Sequence, residues 1–310
     1  MITAEKPSST INSPLLSLRQ RSLLAFLAAA GKPVGSIDFQ KLLFLFCQEN
    51  PSACLYEFVP YRFGAFSFTS YNDRRKLVKN GLLSDDEHRW QLTDYGCRAA
   101  GGMPDNGMTA FFGRYGDLRG DELIAETYRR YPFYATRSEI VRRVLHGDTE
   151  SFARVESVRP EAHSPGLFTI GYEGYSVEGY LNTLLRAGVN ILCDVRRNAI
   201  SRKYGFSRTT LSKGSEMTGI RYIHLPDLGI ASERRRSLTT QAEYDALFAE
   251  YERDTLPGQA EALAGLVEFI REGNRIALTC YEHLPMQCHR LRIADALVHL
   301  EGGPETVVHL

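Results

Sequence analysis

Residues 280–290 read Cys280-Tyr281-Glu282-His283-Leu284-Pro285-Met286-Gln287-Cys288-His289-Arg290. They hold two thiols, a carboxylate, two imidazoles and a guanidinium, groups suited to acid–base, nucleophilic or metal chemistry. The apolar run Ile276-Ala277-Leu278-Thr279 before them reads as a buried strand, and 291–297 reads as an amphipathic helix. A strand-to-helix junction at the end of a parallel sheet is where α/β proteins place their chemistry. Three other junctions have a similar composition. One is Gly171-Tyr172-Glu173-Gly174-Tyr175. A second is Asp194-Val195-Arg196-Arg197, continuing to Ser201-Arg202-Lys203-Tyr204-Gly205-Phe206. The third is His224-Leu225-Pro226-Asp227-Leu228-Gly229. In a parallel sheet every strand ends at the same edge, so these four segments are expected to converge on one crevice.

The elements that must position them alternate regularly. Strands are expected over 167–170, 190–193, 221–223, 275–279 and 306–309. Helices are expected over 177–187, 208–218, 242–251, 259–272 and 288–297. This alternation predicts a parallel Rossmann- or flavodoxin-like α/β domain over 166–310. Residues 1–100 have another character. Helical patterns over 18–30, ended by Gly31, over 36–46 and over 70–79 precede two short strands around Ser84-Asp85-Asp86-Glu87. Three helices and a hairpin predict a winged-helix-like module, with the stripe from Phe39 to Phe46 in its core. Residues 101–165 are expected to be a linker and helical connector, opening on Gly101-Gly102-Met103-Pro104 and helical again over 121–130 and 138–145.

Composition narrows the function classes. The chain has 310 residues, 37 Lys+Arg against 37 Asp+Glu, and 43% hydrophobic residues. A formal net charge of zero argues against a global attraction to polyanions, so nucleic-acid binding would have to use local clusters. None of the six cysteines forms a Cys-x-x-Cys pair; they read as reduced thiols of a cytoplasmic protein. No apolar run is long enough to span a bilayer, and residues 1–13 lack the apolar core of a signal peptide. Gly171 and Gly174 fall short of a dinucleotide fingerprint. Cys280, Cys288 and His289 match no standard zinc spacing and show no fourth ligand. No cofactor or metal is therefore assigned.

The series T-I-G-Y-E-G, D-V-R, S-R-K, G-F, Y-x-H-L-P-x-L-G and C-x-E-x-x-x-x-x-C-H-R, spread over 168–297, resembles the bacterial domain-of-unknown-function 488 family. The family commonly has a proline within the segment occupied here by Asn198-Ala199-Ile200. The N-terminal half, through residues 39–46 and 61–66, is similar to a helical domain found with toxin–antitoxin and phage-defence genes. Together these resemblances imply DNA transactions and anti-phage defence. Some proteins of this architecture look like DNA glycosylases that remove heavily modified phage bases, such as glucosylated hydroxymethyl-cytosine, to leave an abasic site.

The residue types suit that reaction. Cleavage of an N-glycosidic bond passes through an oxocarbenium-like sugar, which a carboxylate must stabilise or supply with activated water. Asp194 and Glu282 are the candidates. Arg196, Arg197, Arg202 and Lys203, with Ser201 and Arg290, would hold phosphates flanking an extruded nucleotide. Tyr172, Tyr175, Tyr204 and Phe206 would stack on the base, and His224 or His289 would protonate it. Asp194→Asn and Glu282→Gln are expected to keep the fold and lose activity. Plainer readings stand beside these. Asp194 also suits a structural ion pair, Glu282 a cap on the next helix or a partner for Arg290, and Arg234-Arg235-Arg236 a solvated loop. Other activities compatible with the residues are a nucleotide hydrolase or transferase, a metal-dependent nuclease, and a ligand-sensing DNA-binding regulator.

Overall fold

Apolar, β-rich strands separated by amphipathic helices set the architecture of this computed structural model, which describes residues 15–160, 164–235 and 238–310. The chain forms two compact units. One comprises the described residues up to Tyr56 together with Ser70–Leu118; the other comprises Glu57–Thr69 and Arg119–Leu310.

In the first unit, α1 (Leu18–Ala30) opens on a Ser17–Gln20 capping box and ends at Gly31, whose φ of 65° favours a residue without a Cβ. β1 (Val34–Gly35) and α2 (Ser36–Glu49) follow. The chain then leaves the unit as the antiparallel hairpin β2 (Val59–Tyr61) and β3 (Gly64–Phe66). It continues as α3 (Phe68–Lys79), β4 (Arg89–Trp90), α4 (Asp94–Ala100) and α5 (Met108–Tyr115). β1 pairs with β4, and Leu83 bridges Leu92. Helix, strand, helix, helix and hairpin is the order expected of a winged helix. Phe39, Leu42, Leu43 and Phe46 are buried, and Phe39 stacks on Trp90 at 3.7 Å.

One cysteine expectation is corrected here. Cys47 and Cys54 form a disulfide with their Cα atoms 4.8 Å apart. Cys47 lies in the last turn of α2, and the chain reverses at Asn50, where Ala53 N and Cys54 N bond the Asn50 carbonyl. That turn brings two thiols seven residues apart within bridging reach.

In the second unit, α6 (Gly120–Arg130), α7 (Val141–Val144) and α8 (Thr149–Ser157) pack around Ile124, Tyr128, Val141 and Val155. The helix expected over 138–145 is shorter than its pattern. Its first amides are held elsewhere: Glu139 N donates to Arg62 O, and Ile140 N to Ser138 Oγ. Next come β5 (Gly166–Gly171), α9 (Val177–Arg186), β6 (Ile191–Asp194), α10 (Arg208–Met217) and β7 (Arg221–His224). They are followed by α11 (Gln241–Asp254), α12 (Ala260–Arg271), β8 (Arg275–Cys280), α13 (His289–Val298) and β9 (Val307–His309). All five strands are parallel, in the order β7-β6-β8-β5-β9.

Alternation divides their side chains between two cores. Leu167, Ile191, Cys193, Ile276 and Leu278 meet α11, α12 and α13. Phe168, Ile170, Leu192 and Ala277 meet α9 and α10. A sheet covered on both faces needs apolar residues at successive positions, which is why its strands read as continuous runs. Among the described residues no helix is long and apolar enough to cross a membrane.

Candidate functional site

The strand order creates a crevice. β6 and β8 are neighbours, yet the chain leaves β6 towards β7 on one side and leaves β8 towards β9 on the other. Loops that part in opposite directions leave a gap at the C-terminal edge, where open α/β sheets bind ligands. Register places Asp194 opposite His224 and Thr279, and Gly171 opposite Cys280. The four segments singled out above thus do meet at one edge. Two glycines permit that closeness. A Cβ on Gly171 would lie 1.8 Å from Glu282 O, and one on Gly229 would lie 2.0 Å from Arg197 N.

Beneath the crevice lies a closed polar network. Asp194 is fully buried. Arg196 donates Nε to Asp194 Oδ1 at 2.8 Å and Nη2 to Oδ2 at 2.5 Å, and Tyr222 Oη donates to Oδ2 at 2.6 Å. Arg196 Nη1 donates to Tyr172 Oη at 3.1 Å and to Phe206 O at 2.9 Å. Tyr172 stacks on Phe206 at 4.5 Å, and both rings are buried. Burial works against the charge on Arg196, but the bonds to Asp194 outweigh it and raise its pKa. Burial, reinforced by Asp194, raises Tyr222.

This network corrects several expected roles. The Arg196 guanidinium is directed into the protein and not towards a phosphate. Tyr172 and Phe206 present their faces to each other and not to a base. Asp194 has both oxygens engaged, so the ion-pair reading describes it.

Glu282 is placed differently. It is only half-buried, and Cys280 Sγ donates to its Oε2 at 3.3 Å. Its loop is pinned by Arg290, a buried residue of the first turn of α13. Arg290 donates Nη1 to Glu282 O at 2.5 Å and Nη2 to His283 O at 2.8 Å. Arg290 is therefore a loop clamp and not a phosphate ligand. His289 is buried, with Nε2 3.0 Å from Val195 O and Nδ1 facing the Cys280 and Cys288 thiols. Burial, then the Cys280 thiol, pushes the Cys288 thiol well above its ordinary range.

The remaining residues line the rim. His224 is half-buried, with Nε2 2.9 Å from Arg196 O. Arg197 is exposed and paired with Asp227 at 2.7 Å. Arg202 is exposed. Ser201 Oγ accepts from Lys203 N, and Lys203 Nζ donates to Tyr172 O at 3.1 Å. Tyr204 Oη donates to Phe68 O, which holds the 201–206 loop within its unit. Of the basic run at 234–236, Arg234 pairs with Glu250, and Arg236 lies outside the described residues.

Three site residues carry no role in the sequence reading: Tyr222, Glu173 and Tyr281. Glu173 Oε2 accepts from His283 N at 3.0 Å, and Glu173 N donates to Tyr281 O at 2.9 Å, joining the loops after β5 and β8. Tyr281 is 45% exposed and stands edge-on to Tyr172 at 5.3 Å. Tyr222 was marked only by its place two residues before His224 in the Y-x-H motif.

Fold and site together define a doubly wound parallel α/β domain with an acidic, aromatic and basic rim at its switch point. Residues 176–297 match the family described as "Domain of unknown function DUF488", so this domain resembles that family. No curated protein and no solved structure matches the chain.

Proposed function

We propose that this protein is a DNA-processing enzyme, a glycosylase that hydrolyses the N-glycosidic bond of a modified, phage-type base and leaves an abasic site. The observation that carries the reading is the contrast between two carboxylates at one edge. Asp194 is buried and neutralised, whereas Glu282 is half-exposed on a clamped loop beside Tyr281. A carboxylate held rigidly at the rim suits an oxocarbenium-like transition state.

In this reading Glu282 takes a proton from water as the water oxygen bonds to the sugar C1′. The bond from C1′ to the base breaks, and its electrons leave with the base. His224 enters the step as the doubly protonated imidazolium with its Nε2–H on the Arg196 carbonyl, gives its Nδ1 proton to that base and is left a neutral ring. Arg197, Arg202 and Lys203 give the rim the positive charge that flanking phosphates require. Tyr281 is the exposed aromatic available for stacking on the base. Such an enzyme would act in the cytoplasm, in defence against phage DNA.

The test incubates the full chain with plain DNA and with phage DNA carrying glucosylated hydroxymethyl-cytosine. Alkali-dependent breaks and a released base, from modified DNA only and abolished by Glu282→Gln, are the expected result. Breaks without alkali would replace the glycosylase with a nuclease. Turnover of free nucleotides without action on DNA would replace it with a nucleotide hydrolase.

A further inference from the structure

The buried cluster of Cys280, Cys288 and His289 takes no part in those steps. Cys280 ends β8, and the other two residues open α13, so the cluster joins both ends of the Glu282 loop. Its geometry is specific. Val195 O is a carbonyl and can only accept, so the 3.0 Å contact places a hydrogen on His289 Nε2. In the neutral ring Nδ1 then presents a lone pair. That lone pair faces Cys280 Sγ at 3.8 Å and Cys288 Sγ at 3.9 Å. All three atoms lie within 4.8 Å of one another, and all three residues are buried.

A tetrahedral ion with metal–sulfur bonds of about 2.3 Å and a metal–nitrogen bond of about 2.05 Å separates sulfur from nitrogen by about 3.6 Å. Both sulfur–nitrogen spacings need to contract by only a few tenths of an ångström, and the two sulfurs, within 4.8 Å of each other, need to close by about 1 Å at most to reach the roughly 3.8 Å of such an ion. A histidine whose second nitrogen is anchored on a backbone carbonyl is the usual outer support of a metal ligand. The side facing Glu282 is also polar, since Oε2 lies 3.3 Å from Cys280 Sγ.

We propose that Cys280 Sγ, Cys288 Sγ and His289 Nδ1 hold one soft divalent metal ion of the zinc class, with its fourth position on the Glu282 side. Two sulfurs and an imidazole select zinc-like ions over magnesium or calcium, which take oxygen ligands. Binding releases the two thiol protons to solvent. The ion would fix the loop that carries Glu282, whatever reaction that loop serves, so the proposal does not depend on the glycosylase reading.

Metal content and optical spectra test it without an activity assay. The full-length chain, as purified under mild reductant, is expected to carry about one zinc per molecule by mass spectrometry under native conditions. After metal removal, one equivalent of cobalt(II) should produce thiolate-to-cobalt charge-transfer bands and tetrahedral ligand-field bands, and zinc should displace it. Cys288→Ser and His289→Ala should weaken binding roughly a hundredfold or more, beyond what loss of an outer partner costs. Cys193→Ser, at a buried thiol outside the cluster, and Glu282→Gln should leave the charge-transfer bands in place. Should the cluster variants fail to fold, the wild-type titration still decides. Absence of the bands from reduced wild-type protein would overturn the proposal. So would a Cys280–Cys288 disulfide that, once reduced, binds no cobalt.

Discussion

Asp194 and Glu282 are both acidic residues at strand exits, and the structure gives them opposite work. Asp194 holds Arg196, which in turn holds Tyr172 and the Phe206 carbonyl, so one residue fixes three segments. Removing one partner of such a pair leaves a buried charge uncompensated and costs about 3–5 kcal/mol. Asp194→Asn is therefore expected to lower stability by about 3 kcal/mol in chemical denaturation. The buried Arg196 pair is the reason this variant, unlike Glu282→Gln, is not expected to keep a fold of wild-type stability. Tyr222→Phe removes a single bond to the same carboxylate and should cost about 1.5–3 kcal/mol. Glu282→Gln, on the half-exposed loop, should change stability by less than about 1 kcal/mol while abolishing base release. A Glu282→Gln protein as unstable as Asp194→Asn would remove the distinction on which the proposed function rests.

At the scale of elements, the site depends on how closely the strand exits approach. β5 meets the loop after β8 at Gly171, where a Cβ would lie 1.8 Å from the Glu282 carbonyl oxygen and 2.6 Å from its carbon. Those are backbone atoms clamped by Arg290, so they cannot yield as a flexible side chain would. Gly171→Ala should cost at least about 2 kcal/mol and, by displacing residues 282–283, reduce activity as well. Gly265 is the control. It is an exposed position in α12, and a Cβ there meets nothing within 4 Å. Gly265→Ala should add about 0.5–1 kcal/mol, as expected of alanine in a helix interior. Melting temperatures that move in the same direction for both variants would contradict this account of the edge.

For the whole molecule, 37 basic and 37 acidic residues cancel, so net charge does not dominate stability near neutral pH. Individual buried groups should set its pH dependence, and two of them act in opposite senses. Glu178 is buried in the first turn of α9 and accepts from Thr69 N at 2.7 Å, from the Thr69 hydroxyl and from Ser67. Burial raises its pKa, although those bonds oppose the rise. Its folded form thus favours the proton, and its contribution is full below the ordinary glutamate range and lost as pH rises through the raised value. Lys41, in the other unit, is lowered by burial from 10.5 to about 7, with Asp38 opposing. Its contribution is full above 10.5 and lost as pH falls through about 7. Glu178→Gln should remove the acid-side decline, and Lys41→Met the rise between about 7 and 10.5. Trp90, the single tryptophan, lies in the same unit as Lys41, so its fluorescence reads the second effect. An unchanged profile in Lys41→Met would show that the lysine is not held neutral.

The five parallel strands, their helices and the shared edge were legible along the chain because their causes are local. Strands covered on both faces must be apolar at successive positions, and a parallel sheet must bring its exits together. The rim residues Arg197, Arg202, His224 and Glu282 follow from that rule alone. What a side chain does at the edge is decided by groups that arrive from elsewhere. Arg196 turns inward because Tyr172 and Asp194 lie there to receive it. Cys47 meets Cys54 because α2 ends in a reversal. The hairpin at 59–66 leaves the unit that surrounds it in sequence, since Val59 packs against the α9 face of the sheet. Cys280, Cys288 and His289 match no ligand spacing in the linear chain, yet the junction of β8 with α13 gathers them. Spacing records neighbours along one element, whereas burial and the direction of a lone pair are set by contacts across elements. Only the tertiary structure therefore distinguished the acid that holds the site together from the acid that stands half-exposed at its rim.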